Sequence, residues 1–453
     1  MHFDRAGKAT EAVEYSLLAA GFAEQSGAIP EAIIHLSIAR RNETDGELAS
    51  EILWRLGHLH YLRQDLATAA PILGLAWEGL RAAGRRSEAW EAELEQMDCL
   101  LRLNPALTAE LLASLQEIES TLSAEGETEA YAKALEIELH ALHRKGDVTT
   151  IRAKLDEADA LSRVGTPLAQ CRAHCTSVLH QFFGAPESAL ASTRKAVELA
   201  EAHNFVAERP IAVNRLIVVL NHQALLASTG GLDLIADAEA AAALTGDLLL
   251  RFSLRQNRGL WYLDTGNYDA AEVAFREARQ LVESGDSETA SLILDVNCGE
   301  LNLGLGEISK ALGCFERVLS QDPASLPADI SLIAEGGLGI CELHAGQLRQ
   351  AVHRNDLLRF PSFWSFDPTL PVTFRARVRR CHGDVEGALG VLRTTAEEVE
   401  TRFPLCWIKL GMEEIRLIRA TDKASATRLA RDVSMRAMQL GLTHQHKRIQ
   451  ALV

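Results

Sequence analysis

What the chain lacks narrows its function first. No run of 18 apolar residues occurs in its 453 positions, so no stretch reads as a membrane-crossing helix and no membrane partner is expected. The opening Met-His-Phe-Asp-Arg has neither the basic start nor the apolar core of a secretory signal, which predicts a cytoplasmic chain. Eight cysteines, at 99, 171, 175, 298, 314, 341, 381 and 406, show no paired spacing and read as reduced thiols packed between helices. Positive charge is in deficit. With 46 Lys and Arg against 62 Asp and Glu the net charge is -16, which argues against direct nucleic-acid binding, because phosphate contacts depend on cationic side chains. Aromatics are only 5% of the residues while apolar residues reach 47%; Ala and Leu dominate and β-branched runs are rare, the composition of an all-α chain.

Catalytic signatures are absent as well. The sequence holds no G-x-x-x-x-G-K-[ST] phosphate loop, no G-x-S-x-G elbow, no H-E-x-x-H and no calcium loop, so a non-enzyme without a cofactor is expected. The nearest thing to a metal set is Cys171, His174, Cys175 and His180 on one predicted helix. Structural zinc sites draw ligands from separate segments and no second Cys/His pair stands nearby, so core packing is the expected role and no metal is assigned.

What is present is a period. Gly266, Gly306 and Gly346 stand 40 residues apart, and each is followed by an apolar set at fixed offsets: Ala271, Phe275 and Ala278; Ala311, Phe315 and Val318; Leu348 and Ala351. Seven residues before each anchor is another glycine, Gly259, Gly299 and Gly339, where one helix must let its partner approach closely. The register extends to Gly383, and back through Gly184, Gly146 and Gly27, with Gln64 replacing the turn glycine in one unit. Anchor separations run 37, 82, 38, 82, 40, 40 and 37, so degenerate units are predicted near residues 88–120 and 211–245. With a last pair opened by Trp407, Leu410 and Gly411 there are about eleven helix-turn-helix units, expected to stack into one elongated superhelix.

The best units, Gly259, Tyr262, Gly266, Tyr268, Ala271, Phe275, Ala278 and Gly299, Gly306, Ala311, Phe315, Pro323, resemble the tetratricopeptide repeat. The resemblance implies a right-handed α-α superhelix; it is strongest over about residues 252–355. The period exceeds that family's usual 34 residues, which implies longer helices or loops. We divide the solenoid into residues 1–245, which include the degenerate units, and residues 246–453, which carry the best motifs.

The resemblance also implies a binding face, the concave surface lined by the first helix of each unit. Its register places Asn257 and Asn297 there, with Asn214 on the degenerate unit before and Arg375 two units after. Asparagines at this position of peptide-binding relatives grip an extended backbone through paired amide and carbonyl groups; bonding between neighbouring helices is the alternative. Arg375 belongs to a basic run with Arg377, Arg379 and Arg380 that suits an acidic partner or a solvated face. A second candidate is the loop Phe360-Pro361-Ser362-Phe363-Trp364-Ser365-Phe366-Asp367-Pro368, whose rings either plug the seam between units or meet a partner through Phe363, Trp364 and Phe366.

The start of the chain, His2-Phe3, Ala6-Gly7, Ala12-Val13, Tyr15 and Ala19-Ala20 followed by Glu31-Ala32-Ile33, resembles the repeat region of bacterial signal-transduction ATPases of the maltose-activator type and of cyclase-associated ATPases. That resemblance implies a sensor arm for a protein, peptide or small inducer, with an ATPase domain lying upstream as a partner. The alternative is a free-standing scaffold or peptide-pheromone receptor.

Overall fold

The computed structural model describes residues 7–43, 45–104, 107–145, 147–283, 288–321, 326–361 and 363–453. Among them, regular structure is entirely helical. His2, Phe3, Ala6, Gly146, Ser362 and Pro323 of the motifs above lie outside the described residues.

The helices of the described residues pair into eleven hairpins. The first five are α1 (Ala9–Gln25) with α2 (Ile29–Asn42), α3 (Gly46–Leu62) with α4 (Leu66–Ala82), α5 (Arg86–Leu103) with α6 (Thr108–Glu125), α7 (Thr128–Lys145) with α8 (Val148–Val164), and α9 (Pro167–Thr176), continued through a 3-10 turn into α10 (His180–Phe183), with α11 (Pro186–Ala202). Three more are α12 (Glu208–His222) with α13 (Gly231–Thr245), α14 (Leu248–Thr265) with α15 (Tyr268–Glu283), and α16 (Glu288–Leu305) with α17 (Ile308–Leu319). The last three are α18 (Ala328–His344) with α19 (Leu348–Leu357), α20 (Thr369–Cys381) with α21 (Val385–Val399), and α22 (Pro404–Ile418) with α23 (Lys423–Gln439). A final helix, α24 (Thr443–Gln450), covers the end of the stack. Hairpins 3 and 6 are the degenerate units that the anchor gaps predict.

The turn chemistry explains the register. Gly266, Gly306, Gly346 and Gly383 have φ between 73° and 78°, a left-handed conformation that ends one helix and that a Cβ disfavours. Gln64 takes the same role at φ 63°. Asp65, Asp247 and Asp384 follow such turn residues and cap the next helix, each accepting a hydrogen bond from the backbone N–H three residues on. Between the two helices of a unit the paired glycines have a different task. A Cβ on Gly259 or Gly299 would run into the ring of Phe275 or Phe315, so these residues let a large side chain lie against bare backbone.

Among the described residues there is no single core. Apolar clusters are strung along the stack, each joining the second helix of one hairpin to the first of the next: Ala271, Phe275 and Ala278 pack with Leu294 and Leu301, and Ala311, Phe315 and Val318 with Ala334 and Cys341. Six of the eight cysteines are buried in such seams and all eight are free. No described helix is long and apolar enough to cross a membrane.

The stack is not extended. It curls until both ends meet its middle, which corrects the expectation of an elongated superhelix. The first turn, at Gly27, lies against the backbone of Ala243 and Leu244, with Ile29 beside Gly246. At the other end Arg402 donates to the carbonyls of Phe182 (3.1 Å) and Trp364, while Gln223 donates to the Arg402 carbonyl at 3.1 Å. His222 sits edge-on to Phe182 and Phe403, with centroids at 5.0 and 5.5 Å. Burial there pushes its pKa down to about 4.

Candidate functional site

Curling brings the first helices of the last five hairpins, together with α24, around one cavity of about 190 Å³. Glu300 of α16 and Arg377 of α20 each stand six residues before a turn glycine; Asp264 and His344 stand two before. Thr373 lies one helical turn ahead of Arg377, so these positions share a helix face spaced i, i+4, i+8 and aimed at the lumen. Lys409, Glu413 and Arg416 of α22 and Gln445 and Arg448 of α24 complete the polar lining, over an apolar floor that includes Leu263, Leu303, Ile340 and Met412.

Two charge clusters divide the cavity wall. Lys409 Nζ lies 3.1 Å from Glu300 Oε1 and 3.4 Å from Asp264 Oδ1. Burial pulls the Lys409 pKa down, but Glu300 and Asp264 outweigh it and hold the ammonium charged well above the ordinary lysine range. Burial pushes Asp264 up to about 6 against the pull of Lys409. One turn along α22 from Lys409, Glu413 accepts from Arg377 at 2.6 Å, and Arg416 shares that carboxylate. Burial opposes ionisation of Glu413, yet Arg377 and Arg416 hold it below the usual glutamate range. Arg377 Nη1 also lies 3.5 Å from His344 Nε2; burial and then that guanidinium lower the histidine's pKa.

α24 is fastened to the cavity wall. Gln445 donates to the Asp264 backbone carbonyl at 3.2 Å and accepts from Arg448 at 3.4 Å. One polar atom is left over. Thr373 is 5% exposed and its Oγ1 has no hydrogen-bond partner among the described residues. A buried hydroxyl without a partner costs free energy, and in a polar cavity it marks a position where a ligand atom or water completes the bond.

The residues expected to bind are placed elsewhere. Asn214 and Asn257 are buried and bonded to one another, Asn257 Nδ2 donating to Asn214 Oδ1 at 3.1 Å. Asn297 is buried too, with its Nδ2 unpartnered among the described residues. Arg375 reaches back to the Leu358 carbonyl at 2.7 Å and lies over the Phe360 ring at 3.6 Å. In the aromatic loop Trp364 is buried between Phe360 and Phe366, its backbone N–H donating to Glu398 Oε1. Phe363 stacks on Phe183 beneath the Arg402 guanidinium, so the loop fills the seam where the stack closes on itself. Within the Cys171 set, Cys171 Sγ lies 3.5 Å from the Ala196 carbonyl and His180 bonds Asp159 at 3.2 Å; no group of three potential ligands is gathered among the described residues.

The cavity residues were one register step from the asparagines. Asn257 and Asn297 lie nine residues before their glycines, whereas the lumen takes the positions ten, six and two before. Charged Glu300 and Arg377, recurring at one repeat position, were the available signal.

No family model matches the chain, and no curated protein sequence matches it. Among solved structures it is similar to a Rap protein complexed with competence and sporulation factor, at 14% identity and TM-score 0.47, over 81% of this chain and 98% of that one. It is also similar to yeast Tom70, at 14% identity and TM-score 0.36 over 97% and 96% of the two chains. A third is the APC/C hetero-tetramer Cut9-Hcn1, at 10% identity and TM-score 0.32 over 96% of each.

Proposed function

We propose that this tetratricopeptide-like solenoid is a non-catalytic binding module whose ligand, a small inducer or the side chains of a peptide, enters the inner-face cavity. The observation that carries the reading is the buried Thr373 hydroxyl left without a partner in a cavity whose other polar groups are paired. Charges of both signs line the wall, which suits a ligand carrying its own polar groups. Its role would be that of a sensor arm for a signal-transduction ATPase or transcription regulator: a ligand that fits the curled state better than a looser one shifts the population and changes the surface offered to the rest of the regulator. α24, which lines the cavity through Gln445 and Arg448, is the element such a ligand has to move or lock. The division into an N-terminal half, residues 1–245, and a C-terminal half, residues 246–453, becomes functional in this reading, since the cavity belongs to the second.

A thermal-shift screen of metabolites and short peptides tests the binding claim. A compound that raises the melting temperature of the wild type and not of Thr373→Val or Lys409→Met supports it. Hits that act equally on all three proteins refute it. The sensor-arm claim is separable: co-purification of a defined ATPase subunit, with affinity altered by the hit, supports it, and indifference to the hit opposes it.

A further inference from the structure

The charges on the cavity wall are matched unequally along α22. Lys409, Glu413 and Arg416 stand at i, i+4 and i+7 and so share one helix face, with the Lys409 and Glu413 rungs about 6 Å apart along the axis. At the first rung one cation serves two carboxylates, Lys409 pairing with Glu300 of α16 and Asp264 of α14. At the second rung one carboxylate serves two cations, Glu413 pairing with Arg377 of α20 and with Arg416. Among the described residues neither Asp264 nor Glu300 pairs with another cation, and neither guanidinium pairs with another carboxylate. The first rung therefore has negative charge in excess and the second has positive charge in excess.

On an open surface water compensates such an imbalance, but these groups are withdrawn from it. The Lys409 and Glu413 side chains are 18% and 12% exposed, and in a partly dry wall an uncompensated charge attracts its opposite more strongly. Asp264 registers the shortfall: burial, only partly offset by Lys409 and reinforced by Glu300, holds its pKa at about 6. Thr373, whose buried hydroxyl lacks a partner, stands one turn ahead of Arg377 on the same face of α20, next to the positive rung. Leu263, Leu303, Ile340 and Met412 give the same cavity an apolar floor, and its volume of about 190 Å³ far exceeds the roughly 10–15 Å³ that one water needs.

We propose, resting on the inner-face site put forward above, that the ligand is a small zwitterion, a free α-amino acid with an apolar side chain. Its ammonium meets Glu300 and Asp264, its carboxylate meets Arg377, Arg416 and the Thr373 hydroxyl, and its side chain lies on the apolar floor. The ammonium and carboxylate of one α-carbon, each extended by a hydrogen bond of about 2.8 Å, span the distance between the rungs. A ligand of one sign leaves one rung uncorrected, and a neutral apolar molecule leaves both.

Titration calorimetry of the full chain tests this with L-leucine, with isocaproate, which lacks the ammonium, and with leucinamide, which lacks the carboxylate. Leucine should bind, and each truncated compound should bind about 10-fold or more weakly. Glu300→Gln should weaken leucine and leave isocaproate unchanged, whereas Arg416→Met should weaken leucine and leave leucinamide unchanged. Melting temperatures check that both variants fold, and the wild-type series decides by itself if one does not. Equal affinity for leucine and either truncated compound overturns the zwitterion and leaves the inner-face site standing. Failure of leucine, methionine and phenylalanine all to bind overturns it as well; the inner-face site falls only if thermal-shift hits also act equally on Thr373→Val and Lys409→Met.

Discussion

Thr373 and Asp264 set what the cavity tolerates. An unpaired buried hydroxyl destabilises the empty protein, and valine has nearly the same shape without it, so Thr373→Val should leave the melting temperature unchanged or raise it by an amount equivalent to about 1 kcal/mol. A clear fall would mean that the hydroxyl is bonded in solution. For Asp264 the sign follows from its direction of shift. Its folded pKa, about 6, lies above the ordinary aspartate value, so its favourable contribution is complete in acid and is lost as pH rises through 6. Asp264→Asn should therefore gain on the wild type between pH 4 and pH 7, by on the order of 2 kcal/mol at neutrality, and melts across that range check it. Equal slopes would show that the carboxylate is solvated as an ordinary surface acid. Neither residue stood out in the sequence: Asp264 becomes distinctive only when α24 arrives from 181 positions along the chain, and Thr373 only when the other cavity helices assemble beside it.

At the scale of the element, the two glycines of a unit are expected to fail for different reasons. Gly299→Ala puts a methyl group into the Phe315 ring and should cost about 1–3 kcal/mol through overpacking. Gly306 has open space around it, and alanine there should cost about 1–2 kcal/mol through its φ of 76° alone. Adding Phe315→Leu to each variant separates them: it should relieve Gly299→Ala and not Gly306→Ala. Helices, turns and the period of this kind were legible because Gly, Ala and Phe recur at fixed offsets, and each offset has a local cause in turn conformation or helix contact. The unit centred on α12 was legible only as a gap, since Ala224, at φ 54°, stands where glycine is expected.

The molecule as a whole is held closed by few groups. Arg402 is buried and ties together three carbonyls, of Phe182, Trp364 and Glu398. Arg402→Met leaves them unpaired and should cost about 2–4 kcal/mol, with small-angle scattering showing a larger radius of gyration as the ends part. An unchanged radius would mean that the closure does not depend on this clamp. Such closure was not readable from repeats, which specify only neighbour-to-neighbour packing; the angle between successive hairpins accumulates from the fifth hairpin to the eleventh before Phe182 meets Phe403. The aromatic loop was visible as an anomaly, and its place in the closing seam was not.

Hydrogen exchange, read by mass spectrometry with and without a compound found by thermal shift, locates binding directly. Protection is predicted on the amides of α20, α22 and α24, around Thr373, Lys409 and Gln445, with the outer helices α17 and α21 unchanged. Protection confined to those outer helices, or to α1, would contradict an inner-face site.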